Sequence, residues 1–319
     1  MRALVTGGAG FIGSHLVEKL LDLGYKVVVL DNLYSGNMDN LSFLRKKHID
    51  NFTFIRGDIR NYSDCIKACS EVDIVFHQAA LRSVPESVEN PQQYNEVNIK
   101  GTLNLLKAAK ECKVKKFIFA SSSAIYGDID KLPQKETEYP QLISPYALTK
   151  LTGEYYCRIF NKIFGLETIS LRYFNVYGPR QAPDDEYSAV IPKFITCVLN
   201  GETLPIYGSG RQSRDFVYVE DVVRANILAA QKDKLEGEVV NIASGESHSI
   251  LDLANLLGKI VNKNIKYTFF PQRSGDVFKT LADISKAEKL LGYKPKISFS
   301  EGLRRTLEWF KNQLMKVRT

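Results

Sequence analysis

Short apolar runs rich in Val, Ile and Phe alternate along the first half of the chain with longer stretches whose apolar residues recur at helical spacing. RALVTG (2–7), KVVVLD (26–31), FTFIRGD (52–58), DIVFHQAA (73–80), KKFIFASS (115–122) and ETISLRYF (167–174) read as buried strands. Between them, FIGSHLVEKLLDLG (11–24) and NPQQYNEVNIKGTLNLLKAAKECK (90–113) read as amphipathic helices. Strand–helix alternation predicts an α/β fold, a doubly wound parallel sheet with helices on both faces. In such a sheet ligands bind beyond the carboxyl ends of the strands. The pattern divides the chain into a sheet domain, 1–174, with 213–231 packing back on it, and a smaller α+β substrate-binding domain, 175–319.

A third helix start is written into SPYALTK (144–150). Ser144 is a good N-cap, and Pro145 suits the first helical position because its missing N–H is not needed there. Tyr146 and Lys150, four apart, then share a helix face. Taken alone, such a pair is more often a solvated face than an acid–base couple.

The glycines change the weight of that pair. TGGAGFIGSH (6–15) follows the first strand and opens a helix, with Gly8, Gly10 and Gly13 satisfying G-x-G-x-x-G and Gly7 extending it. Glycines there permit a tight turn and close approach of backbone to a pyrophosphate, while the helix N-terminus supplies N–H donors. The fold is therefore expected to be Rossmann-type. Asp31 ends the second strand, where a carboxylate can accept bonds from the adenosine ribose and repels a 2′-phosphate, so NAD is favoured over NADP. The alternative for Asp31 is a turn residue before Asn32. Asp58 ends the third strand and either bonds the adenine or caps a helix. The fifth strand ends in Ser121-Ser122-Ser123, which reaches the same edge of the sheet as the SPYALTK helix. Beside a nicotinamide, Tyr146 can take the proton of a sugar hydroxyl if positive charge, from Lys150 and the oxidised ring, favours its phenolate. The serines otherwise make a turn with side chain–backbone bonds.

Composition narrows the class without defining it. The chain has 319 residues, 44% hydrophobic and 25% charged, as in ordinary globular proteins. No apolar run approaches the ~20 residues of a membrane span. The N-terminus moves straight into glycines without a signal-peptide pattern, so a cytoplasmic enzyme is expected. The five cysteines are scattered and lack His partners, which reads as reduced thiols and no metal site. The net charge of +7 is spread along the chain, favouring anionic small molecules over nucleic acid.

TGGAGFIG, the serines before Tyr126-Gly127-Asp128 and the Y-x-x-x-K of Tyr146 and Lys150 resemble the extended short-chain dehydrogenases/reductases over nearly the whole chain. LRYFNVYGPRQ (171–181), YSAVIPKF (187–194), SRDFVYVEDVVRA (213–225) and RSGDVFKTLADISKAEKLLGY (273–293) resemble the UDP-sugar 4-epimerase branch, and LRSVPESVENP (81–91) the UDP-N-acetylglucosamine 4-epimerases. The resemblance implies that NAD lies along Gly7, Gly10, Phe11, Ile12, Gly13, Asp31, Asn32, Ser35, Gly36, Asp58, Ile59, Gln78, Ala79, Ala80, Arg82, Asn98, Tyr146, Lys150, Tyr173 and Phe174. It implies Tyr146, Lys150 and Ser122 as catalytic residues. Substrate contacts would come from Ser83, Ser122, Ser123 and Tyr146. Asn175, Arg214 and Arg273 would meet the diphosphate, and Asp276 the ribose. Arg82 departs from relatives that carry Lys or Gly there.

Related dehydratases and decarboxylases typically place a carboxylate two residues before the Tyr of "YG"; here that residue is Ala124. The epimerase sequence of oxidation, rotation of a 4-keto sugar and re-reduction is thus favoured, with NAD retained. Thr280 falls where the epimerases carry a gate beside the hexose, and its small side chain is expected to admit N-acetyl sugars. A homodimer built from the helices near 94–112 and 146–164 is expected from the family. The rivals are a UDP-glucuronate 4-epimerase and a non-catalytic NAD-binding regulatory protein.

Overall fold

The structure is a computed structural model that describes residues 1–45, 49–182, 189–272 and 277–318. Six expected strands are present: β1 (Arg2–Thr6), β2 (Lys26–Asp31), β3 (Phe52–Arg56), β4 (Ile74–His77), β5 (Lys116–Ser122) and β6 (Glu167–Tyr173). A seventh, β7 (Glu236–Ile242), joins them. The order is β7-β6-β5-β4-β1-β2-β3, all parallel. Chain order reverses between β1 and β4, which makes that edge the switch point where a crevice opens.

Both sheet faces are covered, so the central strands are apolar on both sides: Leu4, Val5, Val29, Val75, Phe76 and Ile118 are all buried. Helix α1 (Phe11–Asp22) buries Leu16, Val17, Leu20 and Leu21. Helices α2 (Tyr62–Cys69) and α3 (Gly101–Glu111) close the other face with Cys65, Cys69, Leu105 and Leu106. Helix α4 (Pro145–Phe164) begins as read from SPYALTK: Ser144 Oγ accepts from the Ala147 N–H at 3.2 Å, and Pro145 takes the first turn. It stops at Gly165, whose φ of 70° is left-handed.

Two features differ from the sequence reading. The expected helix over 90–113 contains a widened π-turn at Asn95–Lys100, leading into α3. The division at residue 174 does not cut the sheet cleanly. Helix α5 (Val219–Gln231) packs on α1, within the stretch expected to return, but β7 also returns to pair with β6. EGEVVNI carries two glutamates at its start, which masks a buried strand in a one-dimensional pattern.

The second lobe is built on the helices Val190–Asn200, Ile250–Val261 and Phe299–Arg318 around short strand pairs. Its core joins Ile191, Phe194, Leu253, Leu257, Leu303 and Leu307. Phe216 and Phe299 stack at 5.2 Å within it. Between the lobes lies a cavity of about 920 Å³, within the ~300–1,000 Å³ typical of ligand sites. Among the described residues, no helix is long and apolar enough to cross a membrane, and no cluster of His, Cys, Asp or Glu could hold a metal ion.

Candidate active site

The glycine loop is a backbone cradle. Gly7 has φ 67°, and a Cβ on Gly13 would stand 2.1 Å from the Gly7 carbonyl oxygen. Gly10 caps α1 without a side-chain bond, so no side chain occupies the donors of the first turn. Phe11 and Ile12 open the helix, and Ile12 reaches the cavity. Asp31 serves two purposes at once. Its Oδ1 accepts from the Leu33 N–H at 2.8 Å, the turn bond anticipated as the alternative. Its Oδ2 accepts from Ala9 N–H at 2.9 Å, tying the loop to the end of β2. Burial raises the Asp31 pKa, and these two bonds oppose the rise. Gly36 lies against the same carboxylate, close enough that a Cβ would come within 2.9 Å of Oδ1.

Asp58 is neither a free acceptor nor a helix cap. Arg60 grips it through Nε at 3.0 Å and Nη2 at 2.8 Å, and Asn32 Nδ2 donates to it at 2.9 Å. The Arg60 bond, ahead of the others, lowers its pKa to about 2. Asn61 caps α2 instead. Ile59 is buried against Gly101. Gln78 Nε2 and Asn226 Nδ2 meet the Tyr173 hydroxyl at 3.1 and 2.8 Å, which links the ends of β4 and β6 to α5. The Ala79 N–H donates to Thr6 Oγ1 at 3.2 Å, and Ala80 follows in the same loop. Ser35 stands in the exposed loop before Gly36. Phe174, almost wholly buried, touches the Tyr126 ring and still lines the cavity.

Asn98 acts on the cavity through the backbone. Its Oδ1 accepts from Leu81 N–H at 2.9 Å, its Nδ2 donates to Leu81 O and Thr149 Oγ1 at 3.0 Å each, and Thr149 in turn bonds the Tyr146 carbonyl at 2.8 Å. The π-turn that carries Asn98 thus clamps the Leu81–Arg82 loop to the start of α4.

The cavity brings together Arg82, Ser83, Ser122, Ser123, Tyr146, Asn175, Arg214 and Thr280, from segments spread over almost 200 residues. Ser83 also caps a short helix by accepting from Glu86 N–H at 3.2 Å. Ser122 accepts from Ala124 N–H at 3.1 Å, the turn bond, and lines the cavity beside Tyr146. Burial raises the Tyr146 pKa; the Ser122 hydroxyl and the Arg82 charge oppose that rise. Lys150, nearly fully buried, donates to Ala120 O at 2.8 Å and lies 5.9 Å from the Tyr146 ring centroid. Burial lowers its pKa to about 8, against the opposing charge of Glu154. The resting phenol is therefore not a ready base: Arg82, which the sequence reading placed only near the cofactor, is a cation acting on it.

Three second-lobe residues expected at the substrate also make bonds within the protein. Asn175 Nδ2 donates one bond to Asp215 O at 3.1 Å and one to Thr280 Oγ1 at 3.2 Å. With both protons committed, Asn175 has none to give a diphosphate, and its carbonyl oxygen is the atom it can offer a ligand. Thr280 is a strut as well as a wall, because its oxygen also accepts from Asp215 N–H at 3.1 Å. Arg214 Nη1 donates to Ser213 O at 3.0 Å while lining the cavity. Arg273 and Asp276 lie outside the described residues. Sequence reasoning missed Asp215, a buried carboxylate that accepts from Ser244 N–H and Oγ, Gly245 N–H and Ala282 N–H at 2.7–3.1 Å. It also missed Asn226 and the Glu154–Arg172 pair behind Lys150.

A glycine-cradled switch point with a Ser–Tyr–Lys group facing a second-lobe cavity defines a nucleotide-cofactor enzyme of the short-chain dehydrogenase/reductase type. The chain belongs to the NAD dependent epimerase/dehydratase family, whose model matches residues 3–243. It is 44% identical to a UDP-N-acetylglucosamine 4-epimerase from Methanobrevibacter ruminantium, solved with UDP-N-acetylmuramic acid, with a TM-score of 0.92 and 98% of each chain covered. It is 43% identical to a UDP-glucose 4-epimerase from Thermotoga maritima solved with UDP-glucose, with a TM-score of 0.93 over 98% of this chain and 100% of that one. A putative UDP-glucose 4-epimerase from Methanocaldococcus jannaschii is 40% identical over 97% of this chain and 98% of its own. The open backbone cradle at Gly7–Gly13 and the acceptor at Asp31 fit the NAD that defines the family.

Proposed function

We propose that this chain interconverts UDP-sugars epimeric at the 4-position, UDP-GlcNAc with UDP-GalNAc and UDP-Glc with UDP-Gal, through a 4-keto sugar. NAD, when bound, supplies the hydride acceptor and donor. Tyr146 takes the 4-hydroxyl proton and later returns it; Ser122, beside the phenol in the cavity, holds the same substrate oxygen and relays the proton. Ser123, Ser83 and Arg82 frame the sugar, and Arg214 faces the diphosphate.

The observation that carries the choice of a neutral hexose is Asn175. Its committed amide protons leave an acceptor oxygen toward the ligand, which suits a sugar hydroxyl or an acetamido N–H and repels the carboxylate of a uronate. Ala124 likewise supplies no acid at the position where related dehydratases carry one. Proton NMR of the purified protein with UDP-GlcNAc, UDP-Glc and UDP-glucuronate in separate tubes, each with catalytic NAD, tests this. Growth of the axial 4-hydroxyl epimer in the first two tubes without net NADH is expected. Turnover of UDP-glucuronate alone would replace the neutral sugar by the uronate, and no turnover in any tube would leave an NAD-binding protein.

We further propose a homodimer through α4. Leu148, Tyr155, Ile159 and Ile163 form an exposed apolar stripe at helical spacing, each 44–66% accessible. Light scattering should give twice the chain mass, and Tyr155→Glu should halve it.

A further inference from the structure

Behind Lys150 lies a buried ion pair that the roles assigned above do not use. Glu154 stands one turn along α4, and both it and Arg172 of β6 are only 4% exposed. Arg172 holds the carboxylate bidentately, Nε on Oε1 and Nη2 on Oε2, each at 2.8 Å. Ser121 Oγ adds a 2.5 Å bond to Oε1. Ser121 is the neighbour of Ser122, and Arg172 precedes Tyr173, so the carboxylate ties together the three elements that carry the site: the end of β5, the first turns of α4 and the end of β6.

Buried ion pairs add little net stability over apolar residues of similar volume. The position of this one suggests an electrostatic purpose. The groups around Lys150 are His77 from β4, Phe119 from β5, and Tyr146 and Glu154 from its own helix, with Arg172 paired to Glu154 and Arg82 acting on Tyr146. His77 lies between Thr6 Oγ1 at 2.7 Å and Thr102 Oγ1 at 2.9 Å, and burial lowers its pKa to about 3, so it stays neutral. Glu154 is the lone anion in this set. It stands one turn from Lys150 on the same face of α4, with Arg172 on both of its oxygens, and Lys150 bonds the Ala120 carbonyl instead.

We propose that Glu154 and Arg172 act as a positioning pair for the proton transfer at Tyr146: Glu154 holds Lys150 in its charged form through space, and Arg172 keeps that carboxylate from closing onto the ammonium and cancelling it. The three buried charges, two positive and one negative, balance only when Tyr146 is the phenolate. The inference deepens the epimerase reading and rests on Tyr146 as the acid–base group.

The test is a [15Nζ]lysine NMR titration of the NAD-loaded protein, which follows Lys150 whether or not any sugar turns over, together with the pH dependence of kcat. Glu154→Gln, close in shape, should move the Lys150 midpoint and the alkaline limb of kcat down by about one pH unit, a tenfold loss of the charged form above the new midpoint, with KM little changed. Arg172→Gln should move both upward, because it frees the carboxylate and removes a neighbouring cation. A merely structural role would shift neither, or both in the same direction, and either result overturns the proposal. If Arg172→Gln does not fold, Arg172→Lys, which keeps the charge but cannot grip both carboxylate oxygens, replaces it and should also move the midpoint upward; a midpoint at or below the unsubstituted value would then overturn the idea. A titration that behaves as expected in a protein without epimerase activity would leave the pair in place and sink the epimerase reading.

Discussion

The two walls of the cleft are built on different principles. The first-lobe wall is shorter in range: the glycine loop turns on itself, Ser144 caps its own helix three residues on, and Asp31 reaches back 22 residues to the loop. The second-lobe wall is a tripod in which Asn175, Asp215 and Thr280, up to 105 residues apart, hold one another. A local wall can bind a common cofactor in many proteins, whereas a wall assembled over long range can be retuned for one sugar without disturbing the cofactor. The difference teaches that the glycine cradle and the Asn175–Asp215–Thr280 wall can be altered separately, because they rest on separate hydrogen-bond networks.

Breaking the chemical centre should have the largest effect. Tyr146→Phe is expected to fold, keep NAD and lose ~10²–10⁴ of turnover, the usual worth of a positioned acid–base group. Near-normal rates in an NMR time course would remove Tyr146 from the mechanism. Next comes the local wall. Gly13→Ala puts a methyl against the Gly7 carbonyl oxygen, so NAD content after purification should fall sharply, with ~1–3 kcal/mol lost in denaturant melts. Full NAD occupancy would show that the loop is not the cradle.

The long-range wall should respond more selectively. Thr280→Val keeps the volume but strands the Asn175 amide and the Asp215 N–H, which costs about 1–3 kcal/mol and should raise the KM for UDP-sugar while NAD stays bound. Thr280→Ser retains the oxygen and should behave nearly as the parent; a loss in the Ser variant with none in the Val variant would assign the effect to the methyl group. A bulky residue at 280 would test the gate only together with the strut. Its exclusion of N-acetyl sugars must therefore be read against the Val variant.

The smallest effect is expected at Asp58. Its folded-state pKa is depressed to about 2 by the Arg60 bond, so its contribution is present above the unfolded value of ~3.9 and is lost as pH falls toward 2. The pair is partly exposed, so Arg60→Ala should cost under ~1 kcal/mol at pH 7, a cost that shrinks below pH ~3.9 and vanishes once pH falls below about 2. A constant difference across that window would make the loss one of packing.

Much of this protein is determined by its sequence alone. Alternating apolar runs specify six of the seven strands because a parallel strand buried on both faces must be apolar throughout. Gly7 to Gly13, Asp31, Ser144-Pro145 and the Tyr146/Lys150 spacing announce themselves because backbone sterics and helix geometry act within a turn or two. Tertiary structure alone decided the rest. The strand at 236–242 hides behind surface-like glutamates until it meets β6. Asn98 reads as one helix polar residue among several until a π-turn aims it at Leu81. Asn175 exchanges the role of donor for that of acceptor only because Thr280 and Asp215 arrive from elsewhere in the chain. Glu154 and Arg172 read as ordinary charges, and only the packing of α4 on β6 shows them buried together behind Lys150. Hydrogen bonds and charges between distant segments leave no periodicity in one dimension, and their partners are chosen by the packing of the finished fold.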